Sequence, residues 1–324
     1  MNYKIVHQDA LKQCGEDRTL ILFVPSGSRS YGMEHEASDW DAHGIYIGNM
    51  QSYLGYRNGT TQYSNKNKEL NFEYTVYDIR KFFALASESN PNVIEMLYYY
   101  GELFSSSTGI EIINNRHQFL SNRARYSFTG YAMSQLKRIK THRSWLIHPP
   151  KKKPERSDYG LPNDTTLNHD TVISIEAAMA ENATLIPPSI IEVWKAERMY
   201  QNAKREYEQY EGWKQNRNPY RASLEKQYGY DTHHAKHLAR LLTAGRELLA
   251  TGHLPVELRG ERREFVMSIA NGEVDFDSLL SKAQELHDEV MEMKSCLPDK
   301  PNHDYLDRLC AELIEAENGR MDVR

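Results

Sequence analysis

Cysteine is scarce in this sequence: Cys14, Cys296 and Cys310 are the only three among 324 residues, and their spacing fits no zinc module. An odd, scattered set argues against a disulfide framework, so plain thiols are expected. Long apolar runs are also missing. Nothing approaches the ~20 residues that cross a bilayer, and the first residues, Met1 to Asp9, lack the apolar core of a signal peptide. No membrane partner is expected, and the expected compartment is the cytoplasm. A basic excess is absent too: net charge is −5, which by itself speaks against a generic nucleic-acid binder. Neither an internal repeat nor a low-complexity block interrupts the chain. What remains is a chain with 40% hydrophobic and 26% charged residues, long enough for two domains.

The most informative stretch runs from Thr19 to Ile47. Leu20 to Val24 is a short apolar run closed by Pro25-Ser26-Gly27, and Trp40 to Ile47 is a second, rich in aromatic and β-branched residues. Both predict strands, with a glycine turn and a short helix starting near Ser30 between them. Side chains alternate faces along a strand, so Asp39 and Asp41 point the same way. Like-charged carboxylates that close repel unless a cation lies between them, and Mg²⁺ favours oxygen ligands. Leu70 to Tyr77 alternates as a third strand with Glu73 on its polar face. If that strand lies beside Trp40 to Ile47, Glu73 completes a three-acid cluster. An acidic strand edge that keeps a sheet soluble is the simpler alternative. The ordered set of glycine turn, two aspartates and a later acid favours a metal site.

Gly27-Ser28-Arg29, Gly32 and Ser38-Asp39-Trp40-Asp41, in that order, resemble the signature of DNA polymerase β-like nucleotidyltransferases, and more closely the RNA-repair-associated branch with many phage-encoded members. Phe72-Glu73-Tyr74 matches that branch's third carboxylate, with Glu where many relatives have Asp. Tyr77 to Phe82, Asn90 to Glu95 and His234 to Leu241 resemble further elements of it. The resemblance implies an α+β fold: a catalytic domain with a mixed sheet and flanking helices, then a mostly α-helical domain. The small polar cluster Phe104 to Gly109 places the expected boundary between 108 and 109. It also implies Mg²⁺ or Mn²⁺ held by Asp39, Asp41 and Glu73, an NTP as co-substrate, and, for a phage-encoded chain, the host cytoplasm. Phosphoryl transfer of this kind uses two ions about 3.5–4 Å apart. Gly27, Ser28 and Arg29 are the expected phosphate-binding residues. Lys236, His237 and Arg240, near one another on a helix, would add positive charge. His233, His234 and His237 are expected to be ordinary helix histidines rather than a zinc site.

Charge is unevenly distributed. Between Arg116 and Arg156 there are eleven Lys and Arg against the single acid Glu155, a surplus of +10 that leaves −15 for the rest. Such a segment offers a footprint for a polyanion. Its expected contacts are Lys137, Lys140 and Arg143, projecting from a helix whose packed side holds Tyr131, Leu136 and Ile139, and Lys151, Lys152 and Lys153 in a proline-broken loop. RNA is the favoured acceptor on this ground, with a protein hydroxyl, a small molecule, or binding without turnover as the alternatives.

Overall fold

Five strands form a mixed sheet whose three central members carry apolar residues that alternate or run together over lengths too short for helices. The computed structural model describes residues 3–36, 38–56, 59–164, 171, 173–177 and 187–321. The strands are β1 (Arg18–Pro25), β2 (Trp40–Gly48), β3 (Gln62–Asn67), β4 (Phe72–Asp78) and β5 (Phe104–Ser105), in the spatial order β3-β4-β2-β1-β5. The β2/β4 pair is parallel and the other pairs are antiparallel. Helix α1 (Tyr3–Cys14) covers one face, packing Tyr3, Val6 and Ala10 onto Phe23, Ala42, Tyr46 and Tyr74. The alternate positions of β2, Asp41, His43, Ile45 and Ile47, point to the other face.

Around this sheet lie α2 (Gly27–Ser30), α3 (Met50–Leu54), α4 (Ile79–Ser87), α5 (Pro91–Leu97) and α6 (Ser107–Asn114). Helix α4 starts at its cap Asp78, and Pro91 occupies the first turn of α5 behind its cap Asn90. Helix α7 spans Arg123–Ile147, α8 Pro188–Asn216 and α9 Pro219–Tyr228. The last four are α10 (Thr232–Thr251), α11 (Gly260–Ala270), α12 (Phe276–Glu292), capped by Asp275, and α13 (His303–Met321). Leu238, Leu242 and Leu248 of α10 are fully buried. Each is worth ~1.5–3 kcal/mol of burial, far above any helix propensity, so packing holds this helix.

By internal contacts the chain forms two units, Met1–Arg138 with Thr232–Arg324, and Ile139–Asp231. These cut the chain at other places than 108/109. The polar cluster where the boundary was expected is built into the first unit: β5 pairs with β1, Ser106 caps α6, and buried Thr108 donates to Glu317 at 2.6 Å. The second unit stacks Trp145 against Trp213, with ring centroids 5.4 Å apart, and ties Arg156 to Glu197 through two hydrogen bonds of 2.9 and 2.7 Å.

Several local expectations shift. The four-residue α2 begins at Gly27, and Ser30 ends it, buried. The polar stretch 49–68 holds α3 and then β3, which forms a hairpin with β4; Arg57 and Asn58 lie outside the described residues. Strand β4 begins at Phe72 rather than Leu70, since Asn71 takes a positive φ of 48°. Helices α9 and α11 have weak apolar stripes and were not expected. Most of the segment 164–183 lies outside the described residues.

Candidate active site

Parallel pairing of β2 with β4 sets Asp41 opposite Glu73. Directly paired residues share a face of the sheet, and Asp39 lies immediately before β2. Gly27 closes the third side. It has φ +66°, and a Cβ there would overlap Asp41 Oδ2, so only glycine lets the turn come this close to the carboxylate. The backbone is tied at the same point, where Ser26 N–H donates to the Asp41 carbonyl at 2.9 Å.

Lys66 reaches these acids from β3. It faces Glu73 across the antiparallel pair and forms an ion pair with it. That hydrogen bond, and then the nearby charges of Glu73, Asp39 and Asp41, hold the Lys66 ammonium above its usual range. One cation therefore senses all three acids. The run Asn65 to Lys68 reads locally as a turn, which hid Lys66 from sequence reasoning. His43 is the next residue on the acid-bearing face; burial pushes its pKa down to about 4, keeping it neutral at physiological pH. It stacks on Tyr77 with centroids 6.0 Å apart.

Arg29 turns back onto the motif. Its Nε donates to the Asp39 carbonyl at 3.0 Å and an Nη to the Ser38 carbonyl at 2.9 Å, while the guanidinium lies 3.6 Å from the centroid of the Trp40 ring. It therefore orients the backbone that presents Asp39. Ser28 is partly buried, and its carbonyl accepts from Met33 N–H at 2.9 Å.

Beneath the turn is a buried knot. Tyr31 donates to Glu95 Oε2 at 2.7 Å, Arg240 forms an ion pair with Glu95 Oε1, and the Arg240 guanidinium sits 4.0 Å from the centroid of the Tyr31 ring. Arg240 is 5% exposed. It was expected to offer charge to a triphosphate, but its charge is spent on Glu95, because a buried guanidinium is tolerated only with a carboxylate partner. His237 meets the Tyr31 ring edge-on at 6.5 Å between centroids. Burial first, and then the neighbouring Arg240 charge, lower its pKa well below the usual value, so it carries no charge at neutral pH. Lys236 is partly buried on the same helix.

The basic segment is less available than its surplus suggests. Arg116 donates to the Leu97 carbonyl and the Tyr100 hydroxyl, Arg123 pairs with Glu88, and Arg125 is buried on the Val290 and Met293 carbonyls. Arg156 is held by Glu197, and Lys152 pairs with Asp158 at 2.5 Å. Lys137, Lys140, Lys151 and Lys153 are exposed, whereas Arg143 is partly buried. Tyr131, assigned to the packed side, is 37% exposed. Lys137 falls in the first unit, and Lys140, Arg143 and Lys151 to Lys153 fall in the second.

A mixed sheet with a Gly-Ser turn set against acids on paired strands, followed by a mostly helical part, is similar in arrangement to the polymerase β-like fold. Residues 4–148 match the RlaP family, described as the RNA repair pathway DNA polymerase beta family. The likeness read from the motifs between Gly27 and Glu95 is thus borne out over that segment. The match stops before α10, so the likeness of His234 to Leu241 stands on those residues alone. A stretch of 121 residues is 30% identical to an uncharacterized 38.9 kDa protein in the nrdC-mobD intergenic region of enterobacteria phage T4, covering 34% of this chain and 35% of that protein. The similarity thus spans about a third of the length of that relative. No helix among the described residues is long and apolar enough to cross a membrane.

Proposed function

We propose that this protein transfers a nucleoside monophosphate from an NTP to a hydroxyl on an RNA end, with release of pyrophosphate. The observation that carries the reading is the pairing of Asp41 with Glu73 beneath a glycine whose missing Cβ makes room for Asp41. The three carboxylates fit a hard divalent cation: they offer only oxygen donors, and they already draw the ammonium of Lys66. Asp39, Asp41 and Glu73 would hold Mg²⁺ or Mn²⁺, two ions in this reading. Bound there, the metal supplies charge stabilisation to the reacting phosphoryl group.

The chain's own residues do the rest. Ser28 and Arg29 hold the phosphates beside the acids, and the Arg29 hydrogen bonds to residues 38 and 39 keep that segment in place. The acceptor oxygen attacks the α-phosphorus, the bond to the bridging oxygen breaks, and pyrophosphate departs. Glu73, half exposed at the rim, takes the hydroxyl proton. Exposed Lys137, Lys140, Lys151 and Lys153 favour an acceptor with a phosphate backbone. The test is incubation with each α-labelled NTP, Mg²⁺ or Mn²⁺ and a pool of small RNAs, beside an Asp39→Ala/Asp41→Ala control. Labelled RNA that vanishes in the control is the expected result. Pyrophosphate without labelled RNA would move the acceptor to proteins or metabolites, and absence of turnover with every NTP would sink the reading.

A further inference from the structure

A cleft of about 570 Å³ opens beside the Gly27 to Gly32 turn, within the ~300–1,000 Å³ typical of small-ligand sites. Arg29 lines one end. The three tyrosines after α5 and the segment between α10 and α11, from His253 to Arg259, line the rest. Its walls are fixed: Leu258 N–H donates to the Tyr31 carbonyl at 3.1 Å, and Arg262 donates to the Pro255 and Glu257 carbonyls.

Two rings stand at this cleft in a manner that core packing does not explain. Tyr100 is 67% exposed, yet its hydroxyl accepts a 3.1 Å hydrogen bond from Arg116, whose guanidinium also lies 5.5 Å from the centroid of the Tyr100 ring. His253, also exposed, tilts at 32° to Tyr100 with centroids 5.9 Å apart, and meets the buried Tyr98 edge-on at 5.5 Å. A lone exposed tyrosine is ordinary. A pair held in place at the mouth of a cleft that reaches Arg29 is a preorganised stacking surface.

The polar groups narrow the occupant. Arg29 and Arg259 are offset by Glu34 and Glu257, so the cleft has no cationic excess to attract a bare polyanion. Rings offer their faces to a flat heteroaromatic group, and the carboxylates accept from ring or exocyclic amino groups. Arg29, shared with the acid-bearing turn, suits one adjacent phosphate.

We propose that this cleft is a nucleobase site, in which Tyr100 and His253 stack on the base of a nucleotide whose phosphate lies toward Arg29. The inference rests on the nucleotidyl-transfer reading for that phosphate. The base can belong to the incoming NTP or to the terminal nucleotide of the acceptor. The test measures binding rather than turnover. Wild type, Tyr100→Ala, His253→Ala and Tyr100→Phe are titrated with α,β-methylene analogues of the four NTPs, with inorganic tripolyphosphate, and with a short single-stranded oligoribonucleotide.

Tyr100→Ala is expected to weaken binding roughly 5- to 150-fold, the span of stacking one base on an aromatic ring. His253→Ala should act in the same direction, and Tyr100→Phe, which keeps the ring, should bind within about twofold of wild type. Loss confined to the NTP analogues, with tripolyphosphate unaffected, assigns the site to the donor base; loss confined to the oligoribonucleotide assigns it to the acceptor end. Equal affinities for wild type and both alanine variants, or a wild type that binds none of these nucleotides, overturn the proposal. Base-dependent binding without turnover would leave this site standing and remove the catalytic reading instead.

Discussion

Two groups of carboxylates lie around the same glycine turn and are treated in opposite ways. Glu95 is buried, hydrogen-bonded by Tyr31 and neutralised by Arg240. Asp39, Asp41 and Glu73 are gathered at a rim with one exposed lysine among them. The fold can evidently supply a guanidinium where a carboxylate is structural. At the rim it sets three acids together with the Lys66 ammonium. Glu95 and the three rim acids all fall in the motif region, and only their surroundings differ.

Removing one acid from the rim should produce the largest effect. Asp41→Ala is expected to cut transfer by roughly 10³-fold, equivalent to ~4 kcal/mol of barrier. Its Tm should stay the same or rise, since a like charge is removed. A Tm that fell with the activity would place Asp41 with Glu95 as a strut and erase the contrast.

Arg240→Met should do the reverse. It leaves Glu95 buried without its cation, a change that costs ~3–5 kcal/mol, readable as a shift of the urea midpoint. A stable Arg240→Met variant with weakened NTP binding would instead restore the phosphate-binding role expected from the sequence.

The knot also carries a pH signature through His237. Its folded pKa lies below the ordinary value of about 6.5, so below that pH the unfolded chain takes up a proton that the folded chain refuses. Stability should therefore be unaffected by this group above about pH 6.5 and fall as the pH drops below it. His237→Gln should flatten that part of the urea-midpoint profile, and an unchanged slope would mean that His237 accepts its proton in the folded state.

The smallest effect is expected at Lys66, an exposed pair worth ~0.2–1 kcal/mol. Lys66→Met removes the resident cation, and titration of Mn²⁺ by calorimetry should show affinity tightened roughly 2- to 5-fold. Weaker Mn²⁺ binding would show that Lys66 organises the acids rather than competing for them.

Much of the sheet was legible because strand periodicity is local. Asp41 had to face away from Trp40 and Ala42 once Trp40 to Ile47 was a strand, and Glu73 had to oppose Phe72 and Tyr74. Helix starts have local signals too, as the side chain of Asp275 and Pro91 in the first turn of α5 show. The second half was harder. Helices α9 and α11 bury only one and two residues, respectively, so their apolar stripes are faint. The surplus of +10 was real as composition, but Arg116, Arg123, Arg125 and Arg156 have partners that adjacent residues do not reveal.

By itself, then, the sequence determined the local ingredients: a glycine at a positive φ, two carboxylates two residues apart and a third on a strand of matching period. Those properties follow from neighbouring residues and from backbone stereochemistry. Tertiary structure alone decided that Asp41 pairs with Glu73, that Lys66 sits among the acids, and that Arg240 closes on Glu95 from 145 residues away. A side chain's periodicity is set along the chain, but whether its charge is buried, paired or left for a ligand depends on which distant element packs against it.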